Sequence, residues 1–177
     1  EIGEIGGRGA SLMLGYFDDA QANEDAFNTQ GWFMTGDLGR VDEAGYLTIT
    51  GRLKDVIVRG GHNIFPARIE ALAMRHHAVE RAAAVPVDDP RLGEKVCLAV
   101  TLRPGRDLDG EALLRHLDDA GLSKYDMPEY FLRLESMPLT SNGKVLKRDL
   151  NAWIEADRVK PEPVRWQGPA AGETKAG

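Results

Sequence analysis

The chain has 177 residues, 42% hydrophobic and 28% charged, with a formal net charge of −6 and a pI near 5.3. That composition is globular, and the acidic balance argues against a general nucleic-acid or membrane-surface binder. No apolar run reaches the roughly 18–20 residues that a membrane helix needs. No signal peptide is visible, and the single cysteine, Cys97, cannot form an internal disulfide, so a reducing, cytoplasmic setting is expected.

The chain opens Glu-Ile-Gly-Glu-Ile, with no initiator methionine, and reads as a piece of something longer. Residues 1–51 are rich in glycine and short apolar runs, as in an all-β segment with turns. Within it, Gly45–Thr50 alternates with period two after an Asp-Glu-Ala-Gly turn and predicts a hairpin strand. Asp55-Val56-Ile57-Val58 predicts a strand that runs into a loop at Gly60-Gly61. Pro66 then opens a helix with Ile69, Leu72, Ala73 and His76 on one face.

Two apolar strand-like runs follow, Ala82–Val87 and Val96–Leu102. Asp109 can cap a helix whose buried stripe is Leu113, Leu114, Leu117 and Ala120. Tyr130–Leu134 predicts a further strand, and a last helix starts near Lys147. Strands alternating with helices after residue 54 predict a small α+β domain, preceded by a β-rich piece of another. The expected boundaries are 1–53 for that piece, 54–156 for the small domain and 157–177 for a loose tail.

The stretch Ser141-Asn142-Gly143-Lys144 places a lysine at the lip of a turn. It does not complete a phosphate-cradling loop, because Pro138 stands where the first glycine belongs and Val145 follows the lysine. Taken with residues 31–39, GWFMTGDLG, and residues 51–70, GRLKDVIVRGGHNIFPARIE, it closely resembles the carboxyl-terminal portion of the adenylate-forming ligases. The resemblance covers about residues 1–155. It implies a parent enzyme that activates a carboxylic acid with ATP and Mg²⁺ as an acyl-adenylate and then passes the acyl group to coenzyme A. A carrier-protein thiol is the alternative acceptor, and a non-catalytic interaction module of the same fold is the other alternative.

By that resemblance Lys144 is the mobile catalytic lysine, Asp37 binds ribose, and Arg52 contacts ribose or phosphate oxygens. Lys54 falls on the hinge position. The loop Arg59-Gly60-Gly61-His62-Asn63 is presented to open a path for the thiol, with Gly60, Gly61 and His62 as its site residues. Glu70 is expected to orient that glycine loop, while Arg8 and Tyr16 keep packing and turn roles. Each also has a plain structural alternative: a surface lysine, a hairpin-turn aspartate, an ion-pair arginine and a turn needing positive φ. His62, His76, His77 and His116 complete no tetrahedral metal set, so no metal site is expected. The phosphate loop and acid pocket would lie upstream, so this chain alone is expected to be inactive. The acid, the acceptor and any homo-oligomer stay open.

Overall fold

The computed structural model describes residues 1–168. They form two compact units, Glu1–Val56 and the residues from Ile57 onward. The division falls three residues beyond the expected boundary. Among the described residues no helix is long and apolar enough to cross a membrane.

The first unit is built on a three-stranded antiparallel sheet of β1 (Gly3–Gly7), β2 (Phe33–Val41) and β3 (Leu47–Arg52), in that order. Gly45, with φ +87°, makes the β2–β3 turn, and the Asp42 carboxylate accepts the Ala44 and Tyr46 amides to close it. One helix, α1 (Ala20–Ala26), corrects the all-β expectation for this segment. Asp19 caps it by accepting the Ala22 amide, and the Asn23 side chain ties it back to the Tyr16 backbone. The helix buries no residue, so it carries no apolar stripe for a sequence pattern to reveal. A 3₁₀ turn, Leu53–Asp55, follows β3, so the strand expected to begin at Asp55 begins later.

The second unit is a sheet covered on both faces. Its strands are β4 (Ile57–Arg59), β5 (His62–Ile64), β6 (Val79–Asp89), β7 (Gly93–Leu102), β8 (Tyr130–Leu134) and β9 (Glu162–Pro163). β6 and β7 form a long antiparallel hairpin, from Asp89↔Gly93 at its turn to Val79↔Leu102 at its open end. The other edge of β7 takes β4 at Gly93 and then β8 in parallel at Cys97–Thr101. The helices are α2 (Pro66–Ala73), α3 (Gly110–Asp119) and α4 (Lys147–Glu155). Asp109 caps α3 as expected, accepting the Ala112 amide at 2.7 Å.

Alternation along the central strands sorts the core. Ala82, Ala84, Val96, Leu98 and Val100 face one side with Ile69 and Leu72 of α2 and Leu113 and Leu117 of α3. Ala83, Val85, Cys97 and Ala99 face the other, with Leu132 and Leu150 of α4. Burial on both faces is why these strands read as unbroken apolar runs. Cys97 is fully buried, and desolvation pushes its thiol up to about 12, so it packs as a small apolar group. His76 lies beyond the end of α2 rather than on its buried face.

The tail expectation needs correction across its described part. Glu162 and Pro163 pair with β8, the Val164 amide donates to the Glu129 carbonyl at 2.8 Å, and Val164 and Trp166 pack on the first core face. The remaining tail positions lie outside the described residues.

Candidate functional site

In the first unit, Asp37 and Arg52 are opposite one another in the β2–β3 register. Arg52 Nε donates to Asp37 Oδ1 at 3.1 Å, with the arginine side chain 57% exposed and the carboxylate 31%. An ion pair that open to water contributes at most about 1 kcal/mol, so it holds orientation more than stability. Thr35 fixes the approach: its hydroxyl donates to the Ile5 carbonyl at 2.8 Å and accepts the Asp37 amide at 3.1 Å. Gly36 between them has φ +71°, which turns the strand, and its amide donates to Glu4.

Thr35, Gly36, Arg52, Leu53 and Lys54 line a cleft of about 470 Å³ in this unit. Arg52 and Lys54 place two cations on its wall, and Asp37, which follows Gly36 in sequence, pairs with Arg52. Lys54 is exposed on the 3₁₀ turn, two residues before the chain passes from one compact unit to the next. A larger cleft of about 600 Å³ contains none of the expected site residues. It is lined by Ile2, Ile5, Val41 and Leu47 among others.

In the second unit, the glycine loop is the two-residue turn of the β4–β5 hairpin, with Arg59 opposite His62. Gly60 and Gly61 have φ +58° and +84°. That pair of positive values is the tight hairpin turn that glycine supplies without strain. A Cβ on Gly60 would meet Leu92 Cδ2 at 3.2 Å, whereas one on Gly61 would meet nothing within 4 Å. The turn is strongly anchored. Gly60 donates to the Leu92 carbonyl at 2.7 Å, and Glu94 accepts the Val58 amide at 2.6 Å.

Arg59, the residue before the glycines, reaches across to residues 125–129. Its guanidinium pairs with Glu129 and donates to the Tyr125 carbonyl and, at 3.3 Å, to the Met127 carbonyl. Glu129 in turn accepts the Val96 amide of β7 at 3.0 Å. His62 Nε2 lies 2.8 Å from Asp126 Oδ1, and its ring meets Tyr125 edge-on. Arg59 stands in the loop as expected, but its acceptors lie more than 60 residues away, beyond any local sequence pattern. A lone arginine flanked by β-branched residues and glycines was the available signal that its charge is satisfied elsewhere in the fold.

Lys144 sits in a second hairpin turn. Leu139 bridges Val145, Thr140 donates its amide to the Lys144 carbonyl at 2.8 Å, and the Thr140 hydroxyl accepts the Lys144 amide at 3.0 Å. Gly143, with φ +77°, permits the turn. The lysine is exposed and stands three residues before the first residue of α4.

The structure does not bring this turn to the glycine loop. Gly93 of β7 pairs with Arg59, whereas Thr101 of β7 pairs with Arg81, whose Nη1 donates to the Gly143 carbonyl at 3.2 Å. Gly93 and Thr101 are eight residues apart on one strand, a span of about 26 Å at ~3.3 Å per residue. The two turns therefore belong to opposite ends of the sheet.

Glu70 also departs from its expected place. It lies on α2, where its Oε1 accepts the Ala84 amide at 2.8 Å and is 2.7 Å from Lys147 Nζ. It braces α2 against β6 and α4 and makes no bond to the glycine loop. The histidines do not assemble around an ion either. His76 accepts the Ala78 amide and stacks against His77, with the His116 ring edge-on to it and His116 donating to the Leu72 carbonyl. Among the described residues no group of three or more His, Cys, Asp or Glu side chains is arranged to hold a metal.

Residues 68–144 match the family model described as the AMP-binding enzyme C-terminal domain. The chain is 40% identical over 146 residues to the medium-chain fatty-acid–CoA ligase of Escherichia coli K12, covering 82% of this chain and 26% of that protein. It thus spans about a quarter of the length of that curated relative. Among solved structures it is similar to ATP-bound MatB from Rhodopseudomonas palustris, with a TM-score of 0.79 and 32% identity over 88% of this chain and 31% of that one. The o-succinylbenzoate CoA synthetase MenE from Bacillus subtilis, in complex with its acyl-adenylate intermediate, gives 0.78 and 33% over 85% and 30%. Residues 68–144 thus carry the AMP-binding enzyme carboxyl-terminal domain, and over most of its length the chain is similar to the adenylate-forming enzymes.

Proposed function

We propose that the chain is the carboxyl-terminal portion of an ATP-dependent, AMP-forming acid–CoA ligase. The observation that carries this reading is the separation of two chemically distinct turns, Lys144 and Gly60-Gly61, at opposite ends of one sheet. A two-step reaction at a single centre can use both only in succession.

In the first step a carboxylate oxygen bonds to the α-phosphorus of ATP while the bond to the departing pyrophosphate breaks. One anion must approach another, so positive charge fixed beforehand lowers the barrier. Lys144 supplies that charge on a long stem from a turn with a fixed backbone. Asp37 accepts hydrogen bonds from ribose hydroxyls through the oxygens its half-exposed carboxylate presents, and Arg52 offers its terminal nitrogens to ribose or phosphate oxygens. Mg²⁺ would come with the nucleotide, whose phosphates and water suit its ligand preference, and would offset phosphate charge there.

In the second step the coenzyme A sulfur bonds to the acyl carbon and AMP leaves. The second unit turns about Lys54, withdrawing Lys144 and presenting Gly60, Gly61 and His62. An exposed residue on a short 3₁₀ turn near the end of the first compact unit is suited to absorb such a dihedral change. Gly61, with open space where a Cβ would stand, lets a pantetheine arm pass close to the backbone. A cytoplasmic setting belongs to the same proposal.

The test supplies the full-length protein with ATP, Mg²⁺, coenzyme A and a panel of acids that starts with medium-chain fatty acids. Mass spectrometry then follows acyl-CoA and AMP. A CoA adduct lost in Lys144→Ala establishes the ligase. Adenylate without an adduct transfers the second step to a carrier-protein thiol. Neither product from any acid leaves a non-catalytic module of the fold. The present chain alone is expected to form no product.

A further inference from the structure

The Lys144 turn is held from outside its own hairpin, on both sides of the lysine. One residue before it, the Gly143 carbonyl accepts from Arg81 Nη1 on β6 at 3.2 Å. Three residues after it, the Lys147 ammonium pairs with Glu70 Oε1 at 2.7 Å, and that oxygen also accepts the Ala84 amide of β6 at 2.8 Å. Both ties end on the same short stretch of β6. Lys147 and Glu70 side chains are only 25% and 20% exposed, so water screens this pair less than a surface pair. Behind them, Leu150 seats α4 in the core with no exposure at all.

An exposed lysine has many rotamers, and only its backbone origin can be fixed in advance. A displacement of about 1 Å at a reacting group can cost on the order of 10²-fold in rate. We propose that Glu70 and Arg81 are positioning residues for Lys144. Arg81 holds the turn through the Gly143 carbonyl, and Glu70 holds its far side through Lys147, so that both flanks of the lysine are referred to one rigid strand. This inference rests on the reading of Lys144 given above.

The test separates the half-reactions in the full-length protein. Adenylation is followed by ATP–pyrophosphate exchange, and thioester formation by supplying a preformed acyl-adenylate with coenzyme A. Glu70→Gln keeps an acceptor for the Ala84 amide and removes the carboxylate charge that pairs with Lys147. The exchange kcat is expected to fall about 10-fold in Glu70→Gln and in Arg81→Ala, and about 10²-fold in the double variant. KM for ATP and the thioester step stay close to wild type in the single variants, while the melting temperature falls modestly. Arg81→Lys and Lys147→Arg, made singly in the wild-type background, keep the cationic donors and retain exchange.

A purely structural role would lower both half-reactions together with the melting temperature, and that result overturns the proposal. So does full exchange activity in the double variant. Lys144→Ala, assayed alongside, separates the two levels of inference. Undiminished exchange there overturns the reading of Lys144 itself, and the bracing with it.

Discussion

The two glycine-bearing turns of the second unit look alike in sequence and are held in different ways. The Gly60-Gly61 turn is fixed by its backbone and by Arg59, whose guanidinium reaches three acceptors between residues 125 and 129. The Lys144 turn has a fixed backbone too, yet it ends in an exposed, flexible side chain. A turn that lets a ligand slide past must itself be rigid and bare. A turn that delivers a charge needs a rigid base and a mobile tip.

The contrast breaks most sharply at the lysine. Lys144→Ala is expected to lower adenylation kcat by about 10²–10³-fold, the scale of losing one preorganised stabilising group, while thioester formation from supplied adenylate is retained. Stopped-flow or exchange kinetics on each half-reaction checks this. Equal losses in both steps would show that the two turns are not separate devices.

The glycine turn gives the opposite pattern. Gly61→Val puts a β-branched side chain at φ +84°, where backbone strain of about 1–2 kcal/mol is expected, and fills the open space beside the turn. Thioester formation should fall about 10–10²-fold with adenylation nearly intact. The same assay pair reads the outcome.

Arg59→Ala sharpens the comparison through stability. Removing a part-buried guanidinium leaves Glu129 and two carbonyls without their donor, at a cost of about 2–3 kcal/mol. Denaturant unfolding should show a lowered midpoint with an unchanged slope. Asp37→Asn, in the first unit, should raise the KM for ATP by roughly 10-fold, the equivalent of about 1.4 kcal/mol of ribose binding, without altering either melting behaviour or the supplied-adenylate step.

The smallest effect concerns pH. Burial, followed by the neighbouring His116 and His77, holds the His76 pKa below its ordinary 6.5. Its folded form therefore favours the neutral ring. The contribution is complete above pH 6.5 and is lost as pH falls below that value towards the folded pKa. Wild type should lose melting temperature over that interval more steeply than His76→Gln. Parallel slopes would remove His76 from the pH response.

The three motif stretches, the Asp109 cap, the β8 strand and the last helix were all legible in the sequence, because each depends on residues a few positions apart. The Asp37–Arg52 facing pair was half legible. Both residues stood in motifs, but the β2–β3 register that sets them opposite did not show in either. Helix α1 escaped notice because it buries nothing, and the described part of the tail because its polar composition hides a short strand that pairs with β8.

Glu70 shows where local reading stops. Its place after the glycine loop suggested service to that loop, and the fold spends its carboxylate on Ala84 and Lys147 instead. The sequence by itself determined which residues carry charge, which turns require glycine and which segments pair an apolar face with a core, since these follow from side-chain chemistry and short-range geometry. Only the tertiary structure decided that Arg59 is satisfied some 70 residues away at Glu129, that the Gly143 carbonyl beside Lys144 accepts from Arg81 of β6, and that the two turns stand at opposite ends of β7. Those are pairings between distant stretches, and strand register, which no local pattern encodes, sets them.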